Sequence, residues 1–163
     1  MLLGVVSDTH NNSKSIETVV ALFNSERVNY VIHTGDITNA KSLEKFSRLK
    51  CDLFGVYGNN DRNEPGLKEV AIKYKFNLQE PPHKICIGDK NIAIFHEPDP
   101  IEDFLKINSD IDLVVHGHTH RFREDTQQNI LFFNPGESAG MQKGKNAIGI
   151  INLETLSTKR IFF

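Results

Sequence analysis

The feature that most constrains this chain is a recurring junction, in which a short apolar run stops abruptly at a carboxylate, an amide or an imidazole. Leu2 to Val6 runs into Ser7-Asp8, Tyr30 to His33 leads to Gly35-Asp36, and Leu53 to Tyr57 leads to Gly58-Asn59. Apolar runs of this kind predict strands covered on both faces, as the parallel strands of α/β proteins are. In such sheets the carboxyl ends of the strands border the crevice where ligands bind. Polar groups emerging at those ends can converge although they are far apart in sequence.

Segments of helical period separate the runs. Ile16, Val19, Val20 and Phe23 recur at helical spacing and predict a helix from Lys14 to Ser25, with Ser13 as its N-cap and Glu17 in its first turn. Leu43, Phe46 and Leu49 mark a second helix, and Leu67, Val70, Ala71 and Tyr74 a third. The second half reads differently. Lys84 to Ile87 and Asn91 to His96 flank the turn-forming Gly88-Asp89-Lys90 and predict an antiparallel hairpin. Asp99-Pro100-Ile101-Glu102 resembles a capping box opening a short helix through Ile107. Asp112 to Val115, Ile130 to Phe133, Ala147 to Leu153 and Leu156 to Phe162 read as strands, the last two joined across Glu154-Thr155.

Composition narrows the function classes. With 39% hydrophobic and 25% charged residues, the 163-residue chain has the balance of an ordinary globular protein, and residues 1–163 are expected to form one domain around one core. A net charge of -2 without a long run of Lys or Arg provides no broad field for nucleic acid or an anionic membrane, so any phosphate binding must be local. The N-terminal apolar stretch is too short for a signal peptide or a membrane span, and the cytoplasm is the expected compartment. Cys51 and Cys86 are too few for a disulfide framework and are expected as reduced, mostly buried thiols.

The chemistry lies in the junctions. Asp8-Thr9-His10 sets a carboxylate and an imidazole two residues apart, a spacing that lets both point the same way and grip one cation. Asp36 after Gly35 has two oxygens able to bridge two cations, and Asn59 offers a neutral carbonyl ligand. His96 ends a strand, and Gly117-His118-Thr119-His120 places two imidazoles around one residue just after another. Taken singly, each of these also fits a turn, a helix cap or a packed histidine.

In conjunction, Asp-x-His, Gly-Asp, Gly-Asn-x-Asp, His and Gly-His-x-His, in that order across nearly the whole chain, resemble the calcineurin-like metallophosphoesterases. The ending Asn134-Pro135-Gly136-Glu137-Ser138 is similar to the small YfcE-type phosphodiesterases within that family. The resemblance implies a four-layer α/β/β/α sandwich of two mixed sheets flanked by helices. It implies one metal held by Asp8, His10, Asp36 and His120, and a second held by Asp36, Asn59, His96 and His118, with Asp36 shared and a water between the metals as nucleophile. Asp36, Asn59, Asn60 and Asp61 make up its catalytic set. Two divalent ions would neutralise the ester's negative charge while making hydroxide available near neutral pH. Mixed nitrogen and oxygen ligands suit Mn, Fe, Ni, Co or Zn, with availability rather than intrinsic affinity choosing among them and Mn the first expectation.

The implied activity is hydrolysis of small phosphodiesters. A phosphomonoesterase or protein phosphatase is the alternative among enzymes, and a protein-interaction scaffold like the retromer subunit that shares this fold is the alternative outside them. No membrane partner is expected, a homo-oligomer is compatible, and a single-stranded nucleic-acid substrate is disfavoured by the lack of a basic groove interleaved with aromatics. Two positions depart from the family pattern. Asn60 stands where relatives often carry a His or Cys beside the leaving group, and Glu97 follows His96 where the family usually has Gly. His33 is expected in the core or supporting a ligand, His83 in an exposed loop, His116 at a strand end, and Arg121 in solvent.

Overall fold

The computed structural model describes residues 1–163. The three N-terminal apolar runs form β1 (Leu2–Val6), β2 (Tyr30–His33) and β3 (Asp52–Val56), paired in parallel with Val5 opposite Ile32 and Ile32 opposite Phe54. Their crossovers are α1 (Ser13–Glu26) and α2 (Ala40–Lys45), the latter tightening into a 3₁₀ turn at Phe46–Arg48. After α3 (Leu67–Tyr74) the chain adds β4 (Asn77–Gln79) to the edge beside β3. The expected hairpin follows as β5 (His83–Ile87) and β6 (Lys90–Ile94), then α4 (Ile101–Ile107), β7 (Leu113–Val115), β8 (Arg123–Gln127), β9 (Ile130–Asn134), β10 (Ala147–Asn152) and β11 (Thr158–Phe162).

Two mixed sheets result, one ordered β11-β10-β1-β2-β3-β4 and the other β5-β6-β7-β9-β8. Side chains alternate across a strand, so each central strand supplies two cores. Leu3, Val5, Ile32 and Val56 face the other sheet and meet Ile92, Ile94, Leu113, Val115 and Phe133. Val6, Val31 and Leu53 face the opposite way and pack with Ile16, Val19 and Phe23 of α1, Leu43 of α2 and Leu67 of α3. On the far side of the second sheet, Ala93, Phe95, Val114 and Phe132 carry Ile101 of α4. The layers are therefore α/β/β/α.

The structure corrects several local expectations. The α1 cap is Asn12, whose Oδ1 accepts from the Ser15 amide at 3.1 Å, rather than Ser13. At α4 Pro100 occupies the cap position and no side chain closes it, so Asp99 does not cap. Leu156 has a φ of 55° in the turn before β11 instead of opening that strand. His83 is buried, donating from Nδ1 to the Gly55 carbonyl at 3.0 Å, and Cys86 is exposed whereas Cys51 is half-buried. Strands β4 and β8 escape the sequence because β4 has a single apolar residue, Leu78, and β8 has none. Both are edge strands, and their partners place them rather than their own pattern.

Two glycines let large rings enter the first sheet. A Cβ on Gly4 would sit 2.7 Å from Cδ1 of Phe23, and a Cβ on Gly149 would overlap the ring of Phe133. Phe133 is fully buried between the sheets, so it has no free direction to move. Gly149→Val is expected to lower stability by about 1–3 kcal/mol through overpacking, read as a lower urea midpoint at unchanged slope. A loss under about 0.5 kcal/mol would show that the ring can step aside.

Candidate metal centre

Five strand ends converge on one edge of the sandwich. Asp8 and His10 follow β1, Asp36 follows β2, Asn59 and Asn60 follow β3, His96 follows β6, and His118 and His120 follow β7. The backbone there is unusual. Asp8, His10, Asp36, His118 and His120 all have positive φ, between 46° and 65°, a region that side-chain-bearing residues adopt at a cost of order 1 kcal/mol each. Hydrogen bonds across the loops hold these turns: Asp8 N–H to Gly35 O at 3.1 Å, His10 N–H to Asp36 O at 2.8 Å, and Gly117 N–H to His96 O at 3.0 Å. The Gly residues of the motifs are required by close approach. A Cβ on Gly58 would overlap the Asp36 carboxylate, and one on Gly117 would collide with Ser7 Oγ and lie 3.0 Å from Asp8 Oδ2.

The side chains meet in two adjoining groups. The donor atoms of Asp8, His10 and His120 lie within 4.8 Å of one another, with His120 Nε2 3.3 Å from Asp8 Oδ1. Those of Asp8, Asp36 and His96 do likewise, with His96 Nε2 3.4 Å from Asp36 Oδ1. Asp36 reaches both groups, since its Oδ2 is 4.0 Å from His10 Nε2. Asn59 Oδ1 lies 2.9 Å from His96 Nε2 and 3.1 Å from His118 Nδ1. All seven residues singled out from the sequence as metal ligands thus fall in one cluster.

Two buried atoms at its centre, Asp8 Oδ1 and His10 Nε2, have no hydrogen-bond partner. Buried polar atoms are nearly always paired, and an unpaired carboxylate oxygen beside an unpaired imidazole nitrogen has the chemistry of a cation site. The donor set of carboxylates, imidazoles and one amide carbonyl fits a divalent ion of borderline softness.

The surroundings tune and orient these groups. His96 donates from Nδ1 to the Thr34 carbonyl at 2.8 Å, which leaves Nε2 free for a ligand. Burial works against ionisation of Asp36, but hydrogen bonds from His96 and Asn60 outweigh it and hold the carboxyl well below the usual carboxylate range. Burial opposes charging of His96, yet pairing with Asp36 raises its pKa. His120 is raised through its contact with Asp8. His33 is fully buried and pushed down to about 3 by that burial; its Nδ1 accepts from the Gly35 amide at 3.1 Å, so Nε2 carries the proton toward Thr9 Oγ1 at 2.9 Å.

Two residues of the expected catalytic set turn inward. Asn60 donates from its backbone to Asp36 Oδ1 at 2.9 Å and from Nδ2 to Asp36 Oδ2 at 2.8 Å, clamping both oxygens. Asp61 accepts from the Ile37, Thr38 and Gly58 amides at 2.8, 2.6 and 2.7 Å, tying the Asp36 loop to the Asn59 loop. Burial raises its pKa even so. His116 is buried and lowered by that burial, and Arg121 is exposed. Two supporting groups had no sequence signal, because their contribution is a backbone carbonyl or a long-range contact: Thr34 O behind His96, and Asn134 Nδ2 on Gly117 O at 3.1 Å; Ser7 Oγ, on Asp8 Oδ2, supports its own chain neighbour.

Residues 1–156 match the family model described as the calcineurin-like phosphoesterase superfamily domain. The chain belongs to this family. The family is metal-dependent, in keeping with the donor cluster. Phosphodiesterase MJ0936 of Methanocaldococcus jannaschii is 31% identical over 163 residues, covering 99% of this chain and 98% of the relative. Phosphodiesterase YfcE of Escherichia coli is 25% identical over 173 residues, 96% of this chain and 90% of the relative. Among solved structures, a novel archaeal phosphodiesterase superposes with a TM-score of 0.90 at 31% identity over the full length of both chains. Vps29 of Entamoeba histolytica in complex with zinc shares the fold, with a TM-score of 0.70 at 18% identity over 99% of each chain.

The position of Asp61 behind the donor cluster predicts its role. Asp61→Asn would aim an NH₂ group at amides that now find an acceptor, letting the Asp36 and Asn59 loops part. Divalent-metal affinity should fall by about 10–100-fold in calorimetric titration. Affinity equal to wild type would remove Asp61 from the support of the site.

Proposed function

We propose that this protein is a phosphodiesterase working with two divalent metals, Mn first among them and Ni, Co, Fe or Zn as alternatives, on small phosphate esters. The observation that carries this reading is the pair of buried atoms without a hydrogen-bond partner, Asp8 Oδ1 and His10 Nε2, inside a cluster that adds three further imidazoles, a second carboxylate and an amide. Two relatives named as phosphodiesterases match over nearly their whole length, which supports the same activity here. Residues 1–163 are read as one phosphoesterase domain, and no helix is long and apolar enough to cross a membrane, which is compatible with the cytoplasm as its compartment.

Asp8, His10, Asp36 and His120 would hold one ion, and Asp36, Asn59, His96 and His118 the other. When bound, the ions supply Lewis acidity toward the phosphoryl oxygens and an acidified water for in-line attack. The chain's own contribution is orientation. Asn60 fixes both Asp36 oxygens, so the shared carboxylate cannot rotate between its neighbours. Thr34 fixes the His96 tautomer, and Asp61 sets the spacing of the two central loops. A phosphomonoesterase could use the same donors. The scaffold alternative rests on a likeness of fold alone, and all seven donor positions are intact.

The deciding experiment strips the protein with chelator, restores Mn, Ni, Co, Zn or Mg singly, and assays a panel of mono- and diesters. Stripping is expected to abolish hydrolysis and Mn to restore it, with diesters preferred. Asp36→Asn should lower turnover by about two orders of magnitude or more. Full turnover by the stripped protein defeats the metal mechanism, and no turnover with any metal favours the scaffold.

Asn60 has no titratable proton and its amide is already engaged by Asp36, so leaving-group stability should limit the rate. Activated aryl diesters should be cleaved far faster than alkyl diesters. Asn60→His should flatten a plot of log rate against leaving-group pKa, with a gain of about 10²–10³ for the poorest leaving groups if the imidazole reaches the departing oxygen. Parallel plots for the two proteins would show that another group already protonates that oxygen.

A further inference from the structure

One ion pair outside the donor cluster joins two of the loops that build it. Arg62 follows Asp61 on the β3 loop, Glu97 follows His96 after β6, and Arg62 Nη2 lies 3.7 Å from Glu97 Oε2. Neither side chain has another ionic partner within 4.0 Å. The backbones beneath them are immobilised. The three amides on Asp61 anchor the chain just before Arg62, while His96, buried with Nδ1 on Thr34 O and its carbonyl on Gly117 N–H, anchors the chain just before Glu97. The side chains themselves emerge at the rim, 53% exposed for Arg62 and 34% for Glu97. Arg62 lies three residues after Asn59 and Glu97 directly follows His96, so both belong to the loops that carry these two donors of the cluster.

From this geometry we infer that Glu97 is a specificity-determining residue, which neutralises Arg62 at the rim and so biases the site toward singly charged phosphodiesters over doubly charged phosphomonoesters. This rests on the phosphodiesterase reading. The two substrate classes differ in charge by one unit above the second phosphate ionisation, so any change in net charge at the rim acts more strongly on the monoester. A free guanidinium here would add a cation, in a geometry suited to phosphate, where the dianion gains most. With Glu97 present, that cation is already matched by a carboxylate. The pair is long and solvent-exposed, so it is held weakly and serves charge balance more than stability. At a separation on the order of 7 Å and an effective dielectric constant between about 20 and 80, one unit of charge alters attraction for another by about 3- to 50-fold.

The test is the ratio of kcat/KM for p-nitrophenyl phosphate to that for bis(p-nitrophenyl) phosphate, measured on the Mn-loaded protein at pH 8 with metal content checked for each variant. Glu97→Gln frees Arg62 and should raise the monoester-to-diester ratio by about 3-fold or more. Arg62→Ala leaves the carboxylate unmatched and should lower the ratio by a similar factor, and the Arg62→Ala/Glu97→Gln double variant should return it close to the wild-type value. Raising the salt concentration should shrink both single-variant effects, because exposed charges are screened. An unchanged ratio in both single variants, or a fall for Glu97→Gln or a rise for Arg62→Ala, overturns the inference while leaving the phosphodiesterase reading intact. Absence of turnover of either ester by the loaded wild type would defeat both.

Discussion

Asp8 and Asp36 are buried carboxylates brought within a few ångströms of each other, and neither pairs with a lysine or an arginine anywhere in the protein. Two like charges taken out of water together are costly unless something answers them. Part of the answer is internal: Asn60 donates twice to Asp36, and the His118 amide and the Ser7 hydroxyl donate to Asp8 Oδ2. These donors spread the charge without cancelling it, and Asp8 Oδ1 has no hydrogen-bond partner and only the His120 imidazole 3.3 Å away. The cluster has the chemistry of a cation site, in keeping with the metal dependence of the family.

The sandwich exists in a form that can sustain this arrangement. Every donor sits just beyond a strand whose preceding residues are locked into two cores, so the strand ends cannot drift. The left-handed turns at Asp8, His10, Asp36, His118 and His120 are the conformations that bring side chains from both sheets to one edge. Their strain is tolerated because the loops are stitched to each other by backbone hydrogen bonds, and because Gly58 and Gly117 keep open the space that the carboxylates occupy. Burial of His33 and His116 in uncharged form, beside the cluster, supplies support without adding positive charge that would compete for Asp8 and Asp36.

The likeness to other solved structures separates fold from chemistry. The same sandwich persists at 18% identity in Vps29, whereas the fit tightens to a TM-score of 0.90 for the archaeal phosphodiesterase at 31%. Variation in the rim residues, rather than in the layers, is where members of such a family can acquire different substrates. Arg62 and Glu97 occupy that rim, on backbones held by the same interactions that hold the donors.

What the sequence determined by itself is the set of strands with strong apolar character, the amphipathic helices between them, and a set of candidate donors that the fold brings together. Leu2 to Val6 and Tyr30 to His33 could only be covered strands, and the order of Asp8, His10, Asp36, Asn59, His96, His118 and His120 carried the family resemblance on its own. Local pattern was silent where local energy is weak. The three residues of β4 and the polar β8 become strands because β3 and β9 present unpaired edges to them, and His83 is buried because Gly55 O needs a donor. Asn12 rather than Ser13 caps α1, and its Nδ2 also donates to the distant Ala139 carbonyl at 2.7 Å. Only the tertiary structure decided that Asn60 and Asp61 turn inward as supports and that Glu97 meets Arg62. Apart from the Gly58 amide, those contacts join residues 23 to 35 positions apart, and a side chain's partner across such a distance is chosen by the packing of the whole sandwich, which no local preference encodes.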